Sequence, residues 1–352
     1  MSPSCEPQLL SSYAQPRLAR SLIDIATSAV LYIALMVVMF LTVNSSYLPT
    51  LLLSVPAAGL LVRTFIVFHD CGHGSLFSSK RANRYVGRVV GLLLMQPFTQ
   101  WRQEHAVHHG TSGDLERRGI GDLPTLTVSE YEARSWRGRL GYRLFRNPLV
   151  MFGLGPTAAM IVGPRFVSHS WRPRFRNSVL GTDCVLAAMA AGLCWLVGWE
   201  RLLIVWAPSA LLAGSIGIWL FYVQHQFEDA YWTHSGEWSY AEAALRGSSY
   251  LRLPRVLQFF TGNIGLHHVH HLNPRVPNYN LQRAHDENAI FQQVPTLSLL
   301  DGLRTVRLKL WDEERGALVT FAQARRAAEA RRAPATRTSA MPLGDAAAQE
   351  GL

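Results

Sequence analysis

Ser178–Trp199 reads SVLGTDCVLAAMAAGLCWLVGW, and Leu202–Tyr222 reads LLIVWAPSALLAGSIGIWLFY. The first run carries a single charge, Asp183, and the second carries none. About 20 apolar residues, rising 1.5 Å each along a helix, cross the hydrocarbon of a bilayer. Each run is therefore a membrane span. The joint between them is so short that the pair reads as a helical hairpin. The same arrangement occurs earlier. Ile25–Val43 is free of charge, and Leu48–Val67 holds Pro56 and Arg63. The expected fold is an all-α integral membrane protein with four transmembrane helices in two hairpins.

The rest of the chain agrees with a polytopic protein that also has a large polar part. Charged residues are 16% and apolar residues 49% of the 352, against roughly 25% charged in an average soluble domain. Such a chain buries enough apolar surface to exclude disorder over most of its length. Mean hydropathy is only +0.08, so much of the protein faces water. The net charge is +10, and Lys80 and Lys309 are the only lysines. This basic excess flanks the spans: Arg17 and Arg20 precede the first, and Arg172, Arg174 and Arg176 precede the third. The joints are nearly free of basic residues. By the positive-inside rule both termini and residues 69–177 are cytoplasmic, and no nucleic-acid partner is needed to explain the charge. The four cysteines form no CxxC pair, which argues against a disulfide framework or a zinc ribbon.

The expected organisation is a cytoplasmic N-terminal segment (1–24), a membrane domain (25–322) and a mobile tail (323–352). Within the membrane domain the spans are 25–43, 48–67, 178–199 and 202–222, and residues 69–177 and 223–322 form a cytoplasmic helical cap. The shorter apolar stretches Val86–Phe98 and Leu149–Gly163 read as interfacial or buried helices. Arg63 and Asp183 are expected to snorkel to the interface rather than pair with each other. Tyr231 and Trp232 read as part of an interfacial aromatic belt, and Trp219, Phe221, Tyr222 and Phe227 as walls of an apolar tunnel.

The chemistry lies in thirteen histidines that are not scattered. His69 and His73 follow the second span, and His225 follows the fourth. His105, His108 and His109 form a second cluster, and His267, His268, His270 and His271 a third. Every cluster falls on the same side of the membrane. Residues three and four apart share a helix face. His69 and His73 are i, i+4; His105, His108 and His109 are i, i+3, i+4; His267, His270 and His271 repeat that pattern, with His268 off the face. Neutral imidazole is the commonest side-chain metal ligand. A lone zinc takes three or four protein ligands, whereas eight or nine imidazoles suit two metals with room for a small exogenous ligand. Spacing alone does not choose among iron, zinc, copper and nickel. HDCGH at 69–73 puts Asp70 where a zinc peptidase of the HExxH type needs its glutamate. Asp70, Glu104, Glu228 and Asp286 lie near the clusters and are candidates to orient imidazole N–H groups. Cys71, between two candidate ligands, reads as a packing residue rather than a nucleophile. A transporter would hold its ligands near the midplane of its spans, and these histidines follow the spans instead. A non-catalytic membrane interaction protein would bind no metal.

HDCGH at 69–73, HAVHH at 105–109 and HHVHH at 267–271 resemble the HxxxH, HxxHH and HxxHH boxes of membrane fatty-acid desaturases, in that order. TSGDLERRGIGDLPTLTVSEY after the second box, FYVQHQFEDAYW at 221–232 and LNPRVPNYNLQ after the third are similar to the bacterial acyl-lipid branch of that family. The resemblance covers residues 50–290. It implies a diiron centre held by His69, His73, His105, His108, His109, His267, His270 and His271, with His225 as the additional ligand from outside the boxes. By the same resemblance, Asn263 is a candidate to approach the metals through water. The implied reaction uses O2 and two electrons to place a cis double bond in a lipid acyl chain. A hydroxylase or ketolase on the same scaffold is the alternative. With no HPGG-type haem-binding segment in the chain, the expected electron donor is a separate ferredoxin or cytochrome b5 type protein.

Overall fold

The computed structural model describes residues 9–119, 121–167 and 172–332. The chain is mostly helical, and four helices are long and apolar enough to cross a membrane: Leu18–Thr42, Tyr47–His73, Pro173–Val197 and Trp199–His225. Each outruns the apolar stretch that announces it, because polar residues at the ends continue the helix. The second begins at Ser46, whose Oγ accepts from the Leu48 amide, a usual N-cap. It ends at Gly74, whose φ of 71° is the left-handed conformation that closes helices. His69 and His73 therefore form the last turn of the second helix, and His225 is the last residue of the fourth. They do not follow the spans as separate segments. The third helix stops at Val197, and Gly198 (φ 85°) alone separates it from Trp199. The break falls there, and not at residues 200–201, because only glycine adopts that backbone without strain.

The second helix is the hub. Ala57, Ala58, Leu61 and Val62 on its buried face meet Tyr32 and Met39 of the first helix and Val205, Ala213 and Leu220 of the fourth. Small residues at such crossings let the backbones approach. The third helix is packed very differently: almost none of its apolar window is covered by protein. Trp195 and Leu196 are largely exposed.

Neither charge within the spans snorkels. Arg63 Nη2 lies 2.8 Å from Asp24 Oδ1 of the first helix, and Asp183 pairs with Arg165. Asp24 and Arg165 lie just outside the uncharged runs, so each charge is matched by a neighbouring helix or loop instead of by water.

The two shorter apolar stretches are helical. Lys80–Leu93 buries Val90 and Gly91. Val150–Leu154 and Thr157–Val162 are π-helical turns laid along the fourth helix, where Ser215 Oγ donates to the Phe152 carbonyl at 2.5 Å.

The expectation of an all-α fold needs correction. Strand β1 (Leu126–Thr127) runs parallel to β4 (Leu310–Asp312), which pairs antiparallel with β5 (Ala317–Val319). Strand β2 (Tyr250–Leu251) runs parallel to β3 (Thr296–Leu297). Two- and three-residue strands are too short to show a period-2 pattern. They bring the segment beyond residue 290 back onto the body of the protein. Trp311 and Leu318 are buried there with Leu115, Phe227, Ala230 and Trp232. Trp232 is thus a core residue, and Tyr231 accepts from the Ser239 amide and donates to the Glu237 carbonyl; neither belongs to a membrane belt. Phe321–Arg332 is a helix that buries Ala324 beside Val128, Tyr131 and Tyr142. Residues 323–332 are thus part of a helix, and residues 333–352 lie outside the described residues.

Candidate metal centre

Four segments converge on one place. The last turn of the second helix brings His69 and His73. Helix Phe98–Thr111 brings His105, His108 and His109. The end of the fourth helix brings His225, and the short helix His267–Leu272 brings His267, His270 and His271. The chain reaches that short helix through Gly262 (φ 51°) and Asn263 (φ 59°). A Cβ on Gly262 would stand 2.8 Å from Ile66 Cγ2, so glycine allows the loop to lie against the second helix.

The nine histidines divide into two groups. His69, His73, His105, His109 and His270 form one; His108, His225, His267 and His271 form the other, with one ring nitrogen from each residue within 4.8 Å of the rest of its group. The division has a simple geometry. In each HxxHH box the i, i+4 pair serves one group and the middle histidine crosses to the other. His105 and His109 stay with His270, and His267 and His271 stay with His108.

The nitrogen separations suit metal ligation. His105 Nε2 and His109 Nε2 are 3.2 Å apart, His109 Nε2 and His270 Nε2 3.0 Å, and His225 Nε2 and His267 Nε2 2.9 Å. Adjacent ligands at right angles on metal–nitrogen bonds of about 2.1 Å stand about 3.0 Å apart. His73 Nε2, His108 Nε2 and His271 Nε2 are buried without a hydrogen-bond partner in the protein. Buried polar atoms are rarely left so, and a metal ion in each group would satisfy them. Burial, reinforced by neighbouring imidazoles, holds His105, His108, His109, His267, His270 and His271 well below the usual histidine range. They are neutral at pH 7, which leaves a lone pair for a metal. His225 Nδ1 donates to the Gly247 carbonyl at 3.1 Å, which points Nε2 into its group.

The remaining residues singled out in the sequence sit as follows. Asp70 Oδ1 is 3.6 Å from His69 Nδ1, and among the described residues no other carboxylate comes within 4 Å of a grouped imidazole nitrogen. Glu104 accepts from Gln100 Nε2 at 2.6 Å, and Asp286 from Gln282 Nε2 at 2.8 Å on an exposed surface. Glu228 meets Leu318 through its backbone carbonyl. Asn263 Nδ2 donates to the Asn278 carbonyl at 3.1 Å. His268 turns to His285, 3.0 Å away, and His234 pairs with Glu116 and Glu313 at the surface. His169 lies outside the described residues. Cys71 packs with Val67, Phe68 and Leu76.

Of the aromatic stretch, Phe221 reaches the site, its ring centroid 5.0 Å from His108. Trp219 lines an apolar groove of about 400 Å³ with Phe152, Ile216 and Leu303. Trp101 is a site residue that the sequence reading missed: its ring stacks on His105 at 4.6 Å and 17°. Its position four residues before His105, on the same helix face, was the available signal. Gly72 makes room for it, since a Cβ there would meet the indole at 2.7 Å.

Comparison with known proteins converges on one chemistry. Residues 45–297 match the family model described as fatty acid desaturase. A Bacillus subtilis (strain 168) protein named fatty acid desaturase is 45% identical over 312 residues, 89% of each chain. Two Synechocystis proteins are similar at lower identity. An sn-1 oleoyl-lipid 12-desaturase is 28% identical over 64% of each chain. An sn-1 acyl-lipid omega-3 desaturase (ferredoxin) is 29% identical over 62% of each.

Proposed function

The chain belongs to the fatty acid desaturase family, and from that premise we propose that it places a cis double bond in the acyl chain of a membrane lipid. The observation that carries this reading is the pair of all-histidine groups, one of five and one of four, built side by side from four segments. We assign His69, His73, His105, His109 and His270 to one iron and His108, His225, His267 and His271 to the other. Taking hydrogen from an unactivated methylene needs an oxidant that no side chain provides, and a diiron pair with O2 supplies it. The balance is one O2, two hydrogens from adjacent carbons, two electrons and two protons, giving one double bond and two waters. The electrons come from a separate donor of ferredoxin or cytochrome b5 type. The name of the omega-3 relative mentions ferredoxin.

The chain's own residues prepare the site. Burial keeps the imidazoles neutral, the Gly247 carbonyl fixes the tautomer of His225, and Trp101 and Phe221 pack against His105 and His108. Phe221 sets an apolar ring against His108, where an acyl chain would have to approach.

The proposed architecture is two helical hairpins with a cap on one membrane face. His73 ends the second helix and His225 ends the fourth, and they enter the two adjacent histidine groups. Two ends that meet in this way share a face. The arginines at the starts of the first and third helices support a cytoplasmic placement of that face, together with residues 1–24, 69–177 and 223–322. The hydroxylase or ketolase alternative is not favoured, because the three relatives above are named as desaturases.

Lipid mass spectrometry of cells with and without the protein tests the reaction. A loss of about two mass units per acyl chain is expected, and a gain of about sixteen would mean oxygen insertion instead. Purified protein should hold about two irons, one for each histidine group.

A further inference from the structure

Next to the five-histidine group lies a buried polar chain that links three separate segments. Asn278 Nδ2 is 2.8 Å from Asp24 Oδ2 and 3.0 Å from Asp70 Oδ2. The Asn278 backbone N–H also donates to Asp70 Oδ2, at 2.9 Å. The other oxygen of Asp24 takes Arg63 Nη2 at 2.8 Å. Arg63 Nη1 donates to the Phe259 carbonyl, and the guanidinium lies 4.2 Å from the centre of the Phe259 ring. All four polar side chains are buried, with Asp70 and Asn278 each 3% exposed.

Burying carboxylates is costly unless each has specific partners. Here the partners come from different parts of the chain. Asp24 belongs to the first helix, Arg63 and Asp70 to the second, and Asn278 to the helix that follows the third histidine box. A carboxamide is the group that fits between two carboxylates, because its two N–H bonds can be given to one oxygen of each. Alanine leaves Asp24 Oδ2 without this donor and Asp70 Oδ2 with the backbone N–H alone, and aspartate sets a third carboxylate against them.

Asp70 connects this chain to the histidines. Its other oxygen, Oδ1, lies 3.6 Å from His69 Nδ1, just beyond hydrogen-bond distance. His69 Nδ1 is buried with no hydrogen-bond partner among the described residues, and Asp70 is the nearest carboxylate to it. An imidazole that ligates through Nε2 turns its Nδ1–H outward to an acceptor, and a carboxylate there fixes the ring and raises its basicity. Asn278 holds the Asp70 carboxylate from behind through two donors. It also ties the second helix, which bears His69 and His73, to the segment that bears His270, whose ring centroid is 4.4 Å from that of His69. The four-histidine group does not use this device: His225 there is oriented by the Gly247 carbonyl.

We propose that Asn278, with Asp24 and Arg63 behind it, is a positioning residue for the metal of the five-histidine group alone. This rests on the dimetal reading above, and it assigns the two metals different supports. Loss of such an outer partner commonly weakens metal affinity about 10–100-fold, and here the weakening falls on one site of the two.

The test uses full-length protein loaded with 57Fe in detergent, read by iron per chain and by Mössbauer spectroscopy. Asn278→Ala is expected to keep its elution position and helical circular dichroism, fall from about two irons to about one, and lose the signal of one iron environment while keeping the other. Two irons with an unchanged spectrum would overturn the proposal, and so would equal loss from both environments. Should Asn278→Ala fail to fold, Asn278→Ser, which keeps one donor, carries the test. An intermediate loss confined to one environment supports the clasp, and full retention overturns it. A wild-type protein without iron would instead defeat the dimetal reading, and the clasp with it.

Discussion

Gly121 offers a test of how tightly the surroundings of the metal centre are built. Its φ is +65°, and a Cβ placed on it would stand 2.6 Å from the Glu104 carbonyl oxygen and 3.2 Å from His108 Cβ. Glu104 and His108 are one turn apart on the same helix, so the added methyl presses on the face that carries a ligand of the four-histidine group. In Gly121→Ala the left-handed backbone costs about 1–2 kcal/mol. Relief of the contact to an ordinary distance of about 3.4 Å moves the loop or the helix by about 0.8 Å. Both terms destabilise, by about 2–3 kcal/mol together. A displacement near 1 Å at a reacting centre costs about 100-fold in rate. The expected result is a lower melting temperature and a fall in double-bond formation of one to two orders of magnitude, measured by gas chromatography of lipids from a reconstituted system with excess donor. Gly110→Ala is the control. It lies on the same helix, beside His109, with nothing near its added Cβ, and alanine there stabilises a helix slightly. Wild-type turnover and melting in Gly121→Ala would refute the reasoning.

Other expectations can be checked more directly. His105→Ala and His270→Ala each remove a proposed ligand of the five-histidine group and should abolish product while the protein stays in the membrane; activity in both by lipid analysis would break the ligand assignment. Glu116 hydrogen-bonds His234 at 2.5 Å, which raises the His234 pKa and lowers that of Glu116 to about 2. The His234 contribution to stability is then fully present below its unfolded value, about 6.5, and is lost as pH rises through the raised folded value. The Glu116 contribution is present above its ordinary value and is lost only as pH falls towards about 2. Melting temperatures above neutral pH should decline less in His234→Gln than in wild type, and identical profiles would dismiss the pair. Removal of residues 333–352 should leave product formation unchanged in a lipid assay; an inactive truncated protein would give that segment a role.

Much of this was legible in the sequence because membrane spans and histidine boxes are local patterns. Nineteen residues without a charge in Ile25–Val43 announce a helix on their own, and i, i+4 spacing puts two imidazoles on one face wherever the helix goes. What remained hidden depends on contacts distant in sequence. That His108 departs from His105 and His109 to join His225 is decided by where the fourth helix ends. Asp24 and Asn278 are 254 residues apart, and each looks like an ordinary polar residue until the other is beside it. Snorkelling was the sensible expectation for Arg63 because a single sequence shows the cost of burying a charge but not the partner. The strands at 310–319 were missed because the apolar pattern is too short to register, although Leu310, Trp311 and Leu318 are buried.

Almost none of the apolar window of the third helix is covered by protein, which in a membrane leaves lipid as its main neighbour. Its tilt and depth are then set by the thickness and order of the surrounding tails. Those tails are also what the proposed reaction alters, because each cis bond kinks a chain and loosens its packing. On that proposal the enzyme would be partly suspended in its own product. As unsaturation accumulates, the medium around Pro173–Val197 would soften, and the change would reach the rest of the molecule through the few contacts this helix makes, among them Asp183 with Arg165 and Ser178 with the Thr99 amide.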